Sequence, residues 1–131
     1  MNGILNLSQG SIIALHAAMH LAKESGAPVT TEEAADALKV SRAHLSKILQ
    51  RLTKAGIATA VRGPKGGYTL DKPLSEITLR EVFEAIEGPM KFGRCLMDVP
   101  RCGKAGCMLG SMLDEVNKQV VKRFERRLSD L

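Results

Sequence analysis

SRAHLSKILQRLTKAGIATAVRGPKGGYTL, residues 41–70, decides how this chain folds. Leu45, Ile48, Leu49 and Leu52 stand at i, i+3, i+4 and i+7, the spacing of a single buried stripe on a helix, and Ser41 is placed to cap it. The other faces carry Arg42, His44, Lys47, Gln50, Arg51 and Lys54 without one acid. Gly56 falls where a left-handed C-terminal cap is wanted. Behind it Ile57, Thr59 and Val61 alternate as a short strand, and Tyr68-Thr69-Leu70 returns as a second one. Between the strands, Arg62-Gly63-Pro64-Lys65-Gly66-Gly67 reads as a turn. Its three glycines let backbone approach a phosphate or a groove wall where a side chain would collide.

Upstream of this stretch, Thr30-Thr31-Glu32-Glu33 is a capping-box signal, with Thr30 at the N-cap and Glu33 three residues on. A short helix to about Leu38, a tight turn at Lys39-Val40 and the helix after Ser41 make a helix-turn-helix, and the basic hairpin behind it is a wing. An earlier helix from Ser8 to Ala22, capped by Ser8 or Ser11, places Ile12, Leu15, Met19 and Ala22 on one face. Downstream, Pro73 to Ile77 is a connector, and Thr78 with Glu81 repeats the capping signal ahead of Val82, Phe83 and Ile86. Gly88-Pro89 ends that helix, and Met90 to about Cys107 has no period and reads as a loop. Leu109, Leu113, Val116, Val120 and Phe124 then describe a long amphipathic helix whose narrow seam suits pairing with a second copy; lying on its own domain is the alternative. The expected fold is mainly α with a small β-hairpin. It comprises a winged helix-turn-helix domain over residues 1–88, a cysteine-containing sensor loop over 89–107 and a dimerisation helix over 108–131.

Length and composition agree with one compact unit. The chain has 131 residues, 44% hydrophobic and 25% charged, with aromatics at 3% and no Trp, so its core is expected from aliphatic side chains on helices. The net charge of +5 is unevenly placed. Between Lys39 and Lys72 lie Lys39, Arg42, Lys47, Arg51, Lys54, Arg62, Lys65 and Lys72 against a single acid, Asp71. A contiguous basic third of that kind is the footprint of a polyanion partner. The N-terminal residues up to Ala22 have no basic leader region, and Gln9, Ser11, His16 and His20 interrupt their apolar run, so neither a signal peptide nor a membrane span is expected. The reading is cytoplasmic. The glycine-rich turn lacks the order of Gly, Lys and Ser or Thr that opens a nucleotide-binding helix, no nucleophile and base stand together, and the chain is not read as an enzyme.

Cys95, Cys102 and Cys107 fall in one short window, an odd number that cannot close entirely into intramolecular disulfides. In a reducing compartment such a cluster suggests a metal site or redox chemistry. An iron-sulfur cluster, a thiol or disulfide switch, zinc, and no role at all stay open, although no Cys-x2-Cys knuckle favours zinc. Gly93, Arg94, Gly103, Lys104 and Gly106 give the segment backbone freedom and positive charge. His16 and His20, four apart on the first helix, are a weaker candidate pair for a metal.

Several strings together resemble the Rrf-two family of bacterial regulators: Leu7-Ser8, Ala14-Leu15, Val40-Ser41-Arg42-Ala43-His44-Leu45, Ala55-Gly56-Ile57, Ile77-Thr78-Leu79 and Ile86-Glu87-Gly88-Pro89. The wing string Val61-Arg62-Gly63-Pro64-Lys65-Gly66-Gly67-Tyr68 and the three cysteines before a long helix are the most specific part. The resemblance implies a winged-helix homodimer with crossing C-terminal helices. It also implies an iron-sulfur cluster, 2Fe-2S or 4Fe-4S, held by Cys95, Cys102 and Cys107, whose state controls promoter binding. Ile13 and Ser46 depart from the family's usual Tyr and Glu, and Gly110 stands where cluster-binding members place a His, so the fourth ligand is unassigned, with Asp98 and His16 as candidates.

On this reading the chain is a DNA-binding transcriptional regulator, expected to act as a repressor on a palindromic operator in double-stranded DNA. Thr31 and Ser41 cap helices and touch phosphate; Arg42, His44 and Lys47 face the major groove; Arg62 and Lys65 of the wing enter the neighbouring minor groove or bind its backbone; and Arg51, Gly63 and Gly66 complete the DNA-binding set. The alternative is a thiol or disulfide redox sensor, or a cluster-free regulator acting through a protein partner.

Overall fold

The computed structural model describes residues 7–24, 26–93, 95–97 and 107–131. Helix α1 runs Gln9–Lys23, α2 Thr31–Leu38 and α3 Arg42–Lys54. The strands β1, Ala58–Val61, and β2, Gly67–Leu70, pair antiparallel with Ala58 opposite Leu70 and Val61 opposite Gly67. A 3-10 turn at Leu74–Glu76 leads to α4, Leu79–Glu87; α5 spans Met108–Phe124, and a last 3-10 turn covers Leu128–Asp130. The mainly helical fold with one small hairpin is therefore as the sequence predicts. Among the described residues, no helix is long and apolar enough to cross a membrane.

Local signals set the helix ends. Thr30 Oγ1 accepts from the Glu33 N–H at 3.1 Å while the Glu33 carboxylate accepts from the Thr30 N–H at 3.3 Å, so the capping box is complete. At the end of α3, Gly56 has φ +77, its N–H reaches the Thr53 carbonyl at 3.1 Å, and the Ile57 N–H reaches the Leu52 carbonyl at 3.0 Å. That is the double bond of a Schellman cap, which only a left-handed residue permits cheaply. Thr78 caps α4 through the Glu81 N–H at 3.1 Å, but the second half of that box is missing: the Glu81 carboxylate turns to Lys72, 3.5 Å away.

The core is aliphatic. Leu45, Ile48, Leu49 and Leu52, the predicted stripe of α3, are all buried, together with Val29, Ile57, Ile77, Val82 and Ile86. Each such side chain contributes about 1.5–3 kcal/mol relative to remaining in water. The first helix is rotated from its predicted face. It buries Ser11, Ile13, Ala14, Ala17, Ala18 and Leu21, while Ile12, Leu15, Met19 and Ala22 are only half-buried. Three alanines on the inner face let α1 lie close against α3 and α4, and a search for large apolar residues passes over them.

The predicted C-terminal helix, expected to reach residue 131, ends at Phe124. The chain then turns back: the Leu79 N–H reaches the Arg126 carbonyl at 3.0 Å, the Leu128 N–H reaches the Ile77 carbonyl at 2.9 Å, and Leu128 is buried in the core. Arg80 ties this return to α4, pairing with Glu84 and, at 3.1 Å, with Glu125. The Glu84 carboxylate first, then that of Glu125, raises the Arg80 guanidinium above its ordinary pKa. Phe83 and Phe124 pack edge to face, centroids 5.6 Å apart.

Between α2 and α3, Lys39 adopts φ +56, the only non-glycine residue with positive φ among the described residues. A side chain in the left-handed region costs about 1–2 kcal/mol, partly offset by the extra unfolded-state entropy of glycine. Lys39→Gly is therefore expected to stabilise the fold by about 0.5–1 kcal/mol. Urea unfolding should show a higher midpoint at unchanged slope; a lower midpoint would refute the assigned turn conformation.

Candidate nucleic-acid interface

Helix α3 and the hairpin form one structural unit. Helix α3 packs against β1, and the hairpin is anchored on its other side by Val29, whose N–H donates to the Tyr68 carbonyl at 3.0 Å and whose carbonyl accepts from the Tyr68 N–H at 2.8 Å. Val29 immediately precedes the N-cap of α2, so the wing is stitched to the entrance of the helix-turn-helix. That anchor is carried by backbone atoms and left no mark in the sequence.

The turn glycines serve the protein's own packing first. A Cβ on Gly66 would lie 2.3 Å from the Val61 carbonyl oxygen, and one on Gly67 would lie 2.5 Å from the Val29 carbonyl group. Only at Gly63, with φ +112, does a Cβ meet nothing within 4 Å. Of the three glycines expected to leave room for a groove wall, Gly63 alone faces open space.

The basic side chains divide into engaged and free. Ser41 is the N-cap of α3, its hydroxyl accepting from the His44 N–H at 3.3 Å. Thr31 is the first residue inside α2; the cap is Thr30, which corrects the capping role expected of Thr31. Arg42 is exposed and pairs with Glu32 of α2 at 2.6 Å. Arg51 is exposed and reaches across to α4, its guanidinium donating to the Ile86 carbonyl at 2.6 Å. His44 is half-buried, and Lys47 is exposed. Arg62, Gly63 and Lys65 are exposed at the hairpin tip, with Gly66 half-buried behind them. Asp71, the single acid of the basic third, is held by the Thr59 hydroxyl at the base of the hairpin. The Glu32 and Ile86 partners of Arg42 and Arg51 were missed by sequence reasoning, because they are set by helix packing.

Of the three thiols, Cys95 is half-buried and Cys107 exposed, both free; Cys102 and Asp98 lie outside the described residues. Cys107 is the N-cap residue of α5, and Gly110 falls in that helix's first turn. Cys95 Sγ accepts from the Met97 N–H at 3.4 Å. Among the described residues no three metal-ligating side chains converge, and His16 turns its Nδ1 to the Ile12 carbonyl at 2.8 Å. Two observations suit a thiolate-bound iron-sulfur cluster. A backbone N–H directed at a ligand sulfur is a bond that tunes such clusters, and the N-terminus of a 17-residue helix is the favourable end of its dipole for their negative charge.

Helix α5 buries none of its residues. Of the spaced apolar residues, Leu109 and Val116 are exposed, with Met108 and Met112 exposed beside them, whereas Leu113, Val120 and Phe124 are half-buried, so among the described residues that face is open only in part.

Comparison with known proteins gives a consistent set. The Rrf2 family, described as iron-dependent transcriptional regulators, matches residues 7–131. An HTH-type transcriptional regulator of Bacillus subtilis, YwgB, is 38% identical over 92 residues, 69% of this chain and 59% of its own length. The HTH-type transcriptional regulator IscR of Escherichia coli is 36% identical over 69% of this chain, and the match spans about half of IscR's length, 51%. Among solved structures, IscR of T. potens superposes with TM-score 0.74 at 25% identity, covering 97% of this chain and 85% of that one. CymR, the global cysteine regulator of B. subtilis, superposes with TM-score 0.76 at 26% identity, covering 97% and 95%. These relatives are named as regulators, not as enzymes.

Proposed function

The chain belongs to the Rrf2 family of helix-turn-helix transcriptional regulators, and we propose that it binds duplex DNA in the cytoplasm as a homodimer whose affinity follows the state of Cys95, Cys102 and Cys107. The observation that carries this reading is the joint presentation of α3 and the wing: a recognition helix with no acid on its outer faces, beside a hairpin whose tip exposes Arg62 and Lys65. Lys47 and Arg42 supply the major-groove side; for Arg42, Glu32 is a competitor that DNA has to displace. The exposed Leu109 and Val116 of α5, with Met108 and Met112 beside them, support pairing with a second copy, which would set two recognition helices about one DNA turn, ~34 Å, apart on a palindromic site.

For the cysteines the reading is an iron-sulfur cluster, supported by the N–H directed at Cys95 Sγ and the helix N-terminus at Cys107. The cluster would bring electron-transfer and oxidant-sensitive chemistry. The chain's own part is to hold it with the three thiolates and to carry its state to α3. A thiol switch is the second reading, favoured by the exposure of Cys107.

Protein purified without air should be coloured, and its affinity for operator DNA should fall steeply as salt rises. A preparation that stays colourless after anaerobic reconstitution would remove the cluster and leave the thiol switch. No binding to duplex DNA even at low salt would remove the nucleic-acid reading, and binding that ignores salt would remove the phosphate contacts assigned to the basic residues.

A further inference from the structure

The C-terminal end of α4 is held by groups from two other helices. Ile86 has its side chain in the core, and its carbonyl, in the last turn of α4, accepts from the Arg51 guanidinium at 2.6 Å. Helix α4 has no basic residue of its own in that turn, so Arg51 provides the cation that the negative end of a helix dipole favours. The Ser8 hydroxyl, at the N-cap of α1, donates to the Glu87 carboxylate. A Cβ on Gly10 would stand 3.4 Å from Ile86 Cγ2 and 3.5 Å from Ile48 Cδ1, so α1, α3 and α4 meet around Ile86.

Two residues beyond Ile86, Gly88 turns the chain at φ +81 and Pro89 opens the segment that reaches Cys95. That segment is held at its other end, where Asn117 Nδ2 of α5 donates to the Gly93 carbonyl at 3.1 Å. A stretch fixed at Ile86 and at Gly93 has little slack to absorb a rearrangement around the cysteines. The Ile86 carbonyl is its last fixed point before the core, and the group bonded there belongs to the last turn of the recognition helix.

We propose that Arg51 is a positioning residue that links the cysteine segment to the recognition helix through the Ile86 carbonyl, so that a change at the thiols alters the setting of α3. The inference rests on the sensor reading above and gives Arg51 a different task from contacting DNA. Allosteric coupling commonly amounts to a 5- to 150-fold change in affinity.

The test compares the full-length protein with Arg51→Met, which keeps the apolar stem, and Arg51→Lys, which keeps a donor. Each is examined with thiols free, with thiols alkylated by iodoacetamide, and after anaerobic reconstitution with iron and sulfide. Amide hydrogen exchange without DNA is the first readout. In the wild type, a change in thiol state should alter exchange both at residues 84–88 and at residues 49–54. In Arg51→Met the change should stop at 84–88, and Arg51→Lys should restore part of it. The second readout is the ratio of operator affinities between thiol states, expected to fall from at least about tenfold toward one in Arg51→Met. If Arg51→Met transmits the change to 49–54 as the wild type does, or weakens both states equally and keeps the ratio, the link is refuted. If exchange behaves as described and no duplex is bound, the regulator reading fails while the link stands.

Discussion

Gly67→Ala is expected to destabilise the protein by about 2–4 kcal/mol, combining the strain of a side chain at an unfavourable φ with forced overpacking. At φ +151 the new methyl would lie 2.5 Å from the Val29 carbonyl group and 2.9 Å from the Thr30 nitrogen. These are backbone atoms, so the clash is relieved only by breaking the paired bonds between Val29 and Tyr68 or by moving the N-cap of α2. Either route loosens the wing and the helix-turn-helix at once. For a chain of this length the loss corresponds to a melting temperature lower by about 10 °C, with DNA affinity falling in parallel. Gly63→Ala is the control: it also has positive φ, but its Cβ meets nothing, so about 1 kcal/mol is expected. A Gly67→Ala protein that melts with the wild type would show that the wing is not seated on Val29.

The sequence disclosed this architecture where its signals are local. The box at Thr30 and Glu33, the stripe from Leu45 to Leu52 and the left-handed cap at Gly56 each depend on residues within one or two turns, and each stands in the structure as read. What escaped was set by distant partners. Leu128 is one apolar residue among charged neighbours and has no period to betray it, yet it returns to the core beside Ile77. The face of α1 was misjudged because Ala14, Ala17 and Ala18 gain their value from close helix approach rather than from size. In the interface, sign and placement of charge were legible, but not which cations are already engaged. Arg42 and Arg51, nine residues and about 180° apart on α3, flank its buried stripe on opposite sides; one meets Glu32 and the other Ile86 because α2 and α4 pack where they do.

That division into engaged and free cations ranks the residues by their expected effect on DNA binding. Arg62 and Lys65 sit exposed at the hairpin tip, and among the described residues neither has a hydrogen bond or ion pair. Removing either costs the folded protein little, since neither holds another element in place. Bound to DNA, each would neutralise a phosphate or enter the minor groove, and in a homodimer each substitution acts twice. Arg62→Ala is accordingly expected to lower operator affinity about 10- to 100-fold at fixed salt, at ~1.4 kcal/mol per factor of ten, with an unchanged melting temperature. The slope of log affinity against log salt should shrink by about one for each phosphate no longer neutralised, hence by roughly two per dimer. Gel shifts across a salt series measure both quantities. Unchanged affinity would take the wing off the DNA, whereas weaker binding with an unaltered slope would mean that Arg62 shapes the hairpin instead of meeting a phosphate.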